Sequence, residues 1–181
     1  MTDLERLSAV SRILGWVCLA LMIFLPLWVV AGWLSFDTWG STMASRLGIA
    51  RDYAVPETLS AEQVMLGITV TMAPVSTMIF GLWNLRKLLA GFGAGRIFTL
   101  ENTRALKIFA WSVLMVIVVQ FLTDGLLSMV LTLNNPPGQR VLALGLSSDQ
   151  VVAFFFGAVF VLIARVLEEG RKLADENASI L

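Results

Sequence analysis

The chain has 181 residues, with thirteen basic and thirteen acidic side chains, so its formal net charge is zero. Hydrophobic residues make up 57% and charged residues only 14%, with a mean hydropathy of +0.82. Soluble domains carry about a quarter charged residues, so this balance excludes an ordinary soluble fold, and the zero net charge argues against nucleic-acid binding through a basic surface.

Four apolar blocks predict four helices. A helix needs roughly 20 apolar residues to cross a bilayer core of about 30 Å, and lipid obliges backbone groups to pair within the segment. The first span, about 13–34, carries no formal charge. Its rival reading is a cleaved signal peptide, with Val29-Val30-Ala31 as a loose small-residue site. The uncharged run is longer than a signal core of about 7–15 residues, which favours a membrane anchor. Cys18, the single cysteine, lies inside this span and reads as a small packing residue.

The outer loop that follows, 35–62, mixes Trp39, Met43, Leu47 and Ile49 with Arg46, Arg51 and Asp52. Met43, Leu47 and Ala50 fall at helical spacing, which predicts a short helix lying on the membrane surface. A solvated cover over the bundle is favoured there over a ligand-binding cap, since no site motif is present.

Ser60 and Gln63 form a capping box that opens the second span, about 64–87. Thr69, Ala73, Thr77 and Gly81 recur every four residues and predict a smooth stripe for close helix approach, while Pro74 predicts a kink. The connector, 88–107, is the most polar passage of the chain. Gly91, Gly93 and Gly95 are expected to break the second helix, Thr99 to cap the third, and Glu101 to lie in its first turn. Within it the phrase GRIFTLENTRAL, Gly95 to Leu106, supplies the candidate partner-docking residues Gly95, Arg96, Phe98, Glu101 and Asn102. The plainer alternative is a tight interfacial turn in which Phe98 anchors in lipid and Asn102 satisfies backbone groups. A phosphate-binding loop is excluded, because no Gly-Lys-Ser/Thr sequence and no preceding strand are present.

The third span, about 108–131, is interrupted only by Asp124. Gln120, Asp124 and Ser128 share one helical face by their spacing of four, and Gln120 and Asp124 are the candidate polar intramembrane residues. Counted from Ile108, Asp124 lies about 24 Å across a core of about 30 Å. Interfacial solvation, with Gly125 to Leu133 as an interfacial segment, therefore competes with a buried polar contact. Arg140, in the outer loop 132–147, is the nearest basic residue by topology. A second capping box, Ser147 with Gln150, opens the fourth span, about 148–167. Val141 to Leu146 can extend that short span, Arg165 can snorkel from its end, and Ala153 and Gly157 offer close helix contact. The tail is 168–181.

With four spans, both termini and the connector share one side. That side holds Arg6, Arg12, Arg86, Lys87, Arg96, Arg104, Lys107, Arg165, Arg171 and Lys172, whereas the other holds only Arg46, Arg51 and Arg140 of the thirteen basic residues. Positive residues stay in the cytoplasm, which places both termini there. The two halves also echo each other: GRIFTLEN at 95–102 against GRKLADEN at 170–177, SAEQV at 60–64 against SSDQV at 147–151, and RILGW at 12–16 against KIFAW at 107–111. Ordered echoes predict two pseudo-repeated helical hairpins in one all-α membrane bundle, related by a twofold axis along the membrane normal.

The sequence contains no histidine, and its lone cysteine forms no redox pair. No catalytic, cofactor-binding or metal residues are assigned, and an enzyme is disfavoured for want of the usual acid–base and metal chemistry. The GRIFTLENTRAL run after a span, four spans in all, and the EEGRKLADEN tail resemble the bacterial membrane proteins collected as domain-of-unknown-function family 2975. The resemblance covers essentially the whole chain. It implies a four-span inner-membrane protein without established activity, and a regulatory partnership, since members often lie beside a small helix-turn-helix regulator. The favoured reading is a non-enzymatic membrane protein that docks a cytoplasmic protein partner on its loop and tail, without direct nucleic-acid contact. The alternative is a small transporter or permeation subunit, with Gln120, Asp124, Thr69 and Thr77 lining a path between hairpins or between two protomers. Homo-oligomerisation stays open.

Overall fold

The computed structural model describes the backbone of residues 3–36, 38, 40, 42, 58–95 and 99–179, and the side chains of those among them from Ser8 to Leu173. Four long helices account for most of these residues: α1 (Asp3–Leu34), α2 (Ala61–Gly93), α3 (Leu100–Leu131) and α4 (Ser148–Ser179). Each contains a stretch long and apolar enough to cross a membrane. The helices continue past the hydropathic spans, so most of the connector 88–107 and the first part of the tail are helical. The surface helix expected at Met43, Leu47 and Ala50 lies outside the described residues.

The burial pattern is the reverse of a soluble protein's. Trp16 and Phe155 are about two-thirds exposed, and Phe154, Phe156, Leu162 and Val166 stand outward beside them. Gln63, Ser112, Thr123, Ser128 and Thr132 are buried. In lipid the apolar side chains gain nothing by hiding from one another, so contacts between helices fall to small and hydrogen-bonding residues.

Consecutive helices run antiparallel. Trp33 near the end of α1 donates from Nε1 to Thr71 Oγ1 near the start of α2 at 3.1 Å, while Cys18 packs with Leu82 and Leu89 farther along. The start of α2 meets the end of α3, and the start of α3 meets the end of α4 through Lys107 and Glu168. α2 packs on α1 and α3, and α3 on α4, but α1 and α4 do not pack along each other. The four-helix array is therefore serial, each helix packing on its neighbours in the chain. One end gathers Arg12, Arg86, Lys87, Arg104, Lys107, Arg171 and Lys172; it is called the basic end below, and its opposite the far end.

The packing stripe on α2 differs from the expected one. Thr69 and Ala73 are exposed, whereas Gln63, Gly67, Pro74, Gly81 and Leu88 are buried. A step of four residues drifts by about 40° each time, while steps of seven stay nearly on one face of a helix. Gly67 lies under the Trp33 ring and Gly81 against Ser112, so a Cβ at either would press on the neighbouring helix. Thr69 and Thr77 turn their hydroxyls back to the carbonyls of Met65 and Ala73 on their own helix. Pro74 is buried in an uninterrupted α2. On α4, Gly157 does lie in contact, against Leu114 and Val113, and Phe160 meets Phe109 edge-on at 5.8 Å.

Candidate functional site

At the basic end, α2 and α3 are joined by a short turn whose local chemistry is visible in the sequence. Gly95 takes φ +71°, a conformation that suits glycine, and its N–H donates to Phe92 O at 3.0 Å to close the end of α2. Thr99 caps α3, accepting from Asn102 N at 3.2 Å. α2 ends at Gly93, within the glycine-rich stretch as expected, although Gly91 itself lies inside the helix and does not break it. Gly91 instead makes room for the Asn102 side chain, which would collide with any Cβ there.

Of the expected docking residues, Gly95 and Glu101 are exposed, and Arg96 and Phe98 lie outside the described residues. Asn102 is buried, wedged between α2 and α3. That position gives the asparagine a packing role in the hairpin and leaves little of its side chain open to a partner. Behind the connector, Lys107 Nζ meets Glu168 Oε2 at 3.0 Å and so ties the start of α3 to the point where the tail continues α4. The connector and tail, far apart in sequence, thus belong to one polar surface. Arg104 stands exposed between them.

At the far end, both capping boxes form. Ser60 Oγ accepts from Gln63 N, and Gln63 Oε1 accepts from Ser60 N at 3.1 Å; Ser147 and Gln150 repeat the exchange. The box uses only the amide oxygen of each glutamine. The remaining Nε2 group must find acceptors in an apolar setting, and in both cases it reaches α3. Gln63, almost fully buried, donates to Val130 O and Leu131 O at 3.0 and 3.4 Å, serving the Leu131 carbonyl at the helix end and adding to the bond Val130 O accepts from Leu133 N. Asn134 donates to Gln63 Oε1 at 2.9 Å and completes the junction.

Gln150 donates instead to Asp124 Oδ2 at 2.9 Å, and Gln120 donates to Oδ1 at 2.7 Å. Asp124 is half-buried between these two amides at the level of the first turn of α4, whose dipole favours an anion. Arg140 is exposed and makes no contact with it. Ser128, expected on the same polar face, is fully buried and works elsewhere: its Oγ accepts from Ala143 N at 2.8 Å, while Thr132 Oγ1 accepts from Val141 N at 3.1 Å. Residues 141–147 are therefore a non-helical strap against α3, with Leu142 and Leu144 over Gly125. They do not extend the fourth span, because Ser128 and Thr132 offer the strap better partners than a helix end would. α3 stays helical from Gly125 to Leu131.

The sequence reading missed the outward use of Gln63 and Gln150 and the strap contacts of Ser128 and Thr132. For the glutamines a signal existed: a capping box in an apolar chain leaves an amide group unspent. A family model described as protein of unknown function (DUF2975) matches residues 38–180 of the chain. No curated protein and no solved structure matches it.

Proposed function

The chain belongs to the DUF2975 family of proteins of unknown function, and on that footing we propose that it is a non-enzymatic, multi-pass protein of a bacterial inner membrane that docks a cytoplasmic protein partner on its basic end. Lys107 and Glu168 carry the reading: their contact makes a single surface of two polar stretches that 61 residues of sequence separate. Exposed Glu101 and Arg104 lie on that surface, and Arg96 and Phe98 complete the phrase that contributes to it. A small DNA-binding regulator of the helix-turn-helix type fits such a surface, which would hold it at the membrane. Basic residues concentrated at this end favour its cytoplasmic placement, together with both termini.

The test is co-purification from a gentle detergent, with Arg96, Phe98 and Glu101 replaced by alanine and Asn102 retained so that the hairpin stays packed. Loss of a specific cytoplasmic partner is the expected result. Retention of every partner contradicts the proposal.

We also read the two halves as descendants of one hairpin. Both capping boxes adopt the same reciprocal geometry, which supports this reading, although Gln63 then reaches α3 of the other hairpin and Gln150 α3 of its own. An experimental structure in which the α1–α2 hairpin fails to superpose on α3–α4 by a half-turn about the membrane normal contradicts this origin. The permeation alternative is weakened by the same contacts, because the Thr69 and Thr77 hydroxyls are spent within α2 and both Asp124 oxygens are held by amides. Reconstituted flux abolished by Asp124→Asn would revive it.

A further inference from the structure

At the basic end, α1 and α2 enclose a groove of about 510 Å³ that the docking surface does not use. Arg12 lines it from α1 and Arg86 and Lys87 from α2, with Trp16 and Trp83 as its aromatic walls and Ser11 at its base. No carboxylate lines it among the described residues. Both α2 cations lie against Trp83, the Arg86 guanidinium at 5.9 Å and the Lys87 ammonium at 5.8 Å from the ring centroid. A cation over an aromatic face is attracted to it but is not neutralised. The neighbouring groove between α2, α3 and α4 is different, for there Lys107 is neutralised by Glu168.

Three cations held on rigid helices around one cleft, with no acid lining it among the described residues, make a positive site suited to an anion. The depth of the cleft narrows the choice. From Gln63, at the far end of α2, to Arg86 is 23 residues, or about 35 Å of helix, which is a bilayer core and the start of its headgroups. Trp16, about one turn of α1 inward from Arg12, marks the same boundary. Arginine forks match phosphate oxygens, and the exposed apolar side chains of α1, Ile13 and Val17 among them, offer a track for acyl chains beside the cleft.

We propose that the α1–α2 groove binds the phosphate of an anionic phospholipid, with Arg12, Arg86 and Lys87 holding the headgroup and Trp16 and Trp83 fixing its depth. The site adjoins the proposed docking surface, with Lys87 lining both this groove and the one beside Glu101 and Arg104, but its binding of lipid does not depend on a protein partner.

The experiment uses the full chain purified in a neutral detergent, with native mass spectrometry counting bound lipid and thermal unfolding reading stabilisation. Phosphatidylglycerol should bind and raise the unfolding temperature, whereas phosphatidylcholine should do neither at the same concentration. The Arg12→Gln/Arg86→Gln variant should lose affinity for phosphatidylglycerol by roughly tenfold or more, since each basic residue near a headgroup contributes about that order of attraction in pairs. Arg104→Gln/Arg165→Gln removes equal charge elsewhere and should retain the affinity. Should the first double variant fold poorly, as read by circular dichroism, Lys87→Gln alone serves the same comparison. Equal binding of the two lipids, or equal losses from the two double variants, overturns the proposal. Stabilisation by inorganic phosphate to the same degree as by phosphatidylglycerol overturns the lipid source.

Discussion

Gln63 shows what one side chain does when lipid removes the option of bonding to water. Its oxygen caps α2 and its amide group closes the end of α3, so a single residue serves two helix termini. Gln63→Ala should destabilise the protein in detergent by about 1–3 kcal/mol, since it takes a partner from the Leu131 carbonyl and the Asn134 amide as well as removing a cap. Chemical unfolding followed by circular dichroism measures this. Asp124 is held by amides only, so Asp124→Asn should cost less than about 1 kcal/mol, as a carboxamide keeps one acceptor and Gln120 can turn. Asp124→Leu should cost more than Asp124→Asn in the same measurement, because it leaves both glutamine donors unpaired. An Asn variant as damaged as the Leu variant would show that the negative charge itself matters there.

The helices owe their existence and ends to signals within a few residues, and those were legible. Ser60, Ser147 and Thr99 cap as their neighbours dictate, Gly95 supplies the left-handed residue at the end of α2, and uncharged run length marks the spans. What the sequence concealed was decided between helices by shape. Gly91 looked like a helix breaker and is a socket for Asn102; Gly67 carried no signal and is a seat for Trp33. Val141 to Leu146 looked like a continuation of the fourth span because most of them are apolar, but their backbone is non-helical and Leu142, Leu144 and Leu146 are exposed. Gly91→Ala should therefore destabilise the α2–α3 hairpin by about 1–3 kcal/mol through overpacking. In a double-mutant cycle, Asn102→Ala should recover part of that loss, giving a coupling of about 0.5–3 kcal/mol. Additive effects would mean that the two residues do not share one space. Of the docking phrase, only the residue types were legible: the sequence offered no means of telling that Asn102 turns inward while Glu101 turns out.

Across the whole molecule, four antiparallel helices stand in series with polar ties at both ends and an apolar surface along their length. The far end is fixed by glutamine amides on α3; at the basic end Lys107 is paired with Glu168 between α3 and α4, whereas no carboxylate among the described residues lines the groove between α1 and α2. Function, on this account, sits at the basic end, and its side of the membrane is the premise for both the protein partner and the lipid headgroup. Topology is therefore the direct test. In a Cys18→Ala background, the variants Glu101→Cys, Lys172→Cys and Arg140→Cys would be treated with a membrane-impermeant maleimide in sealed, right-side-out membrane vesicles. Labelling of Arg140→Cys alone, with the other two reacting only after the vesicles are opened, is the expected result; labelling of Glu101→Cys or Lys172→Cys in sealed vesicles would contradict the account.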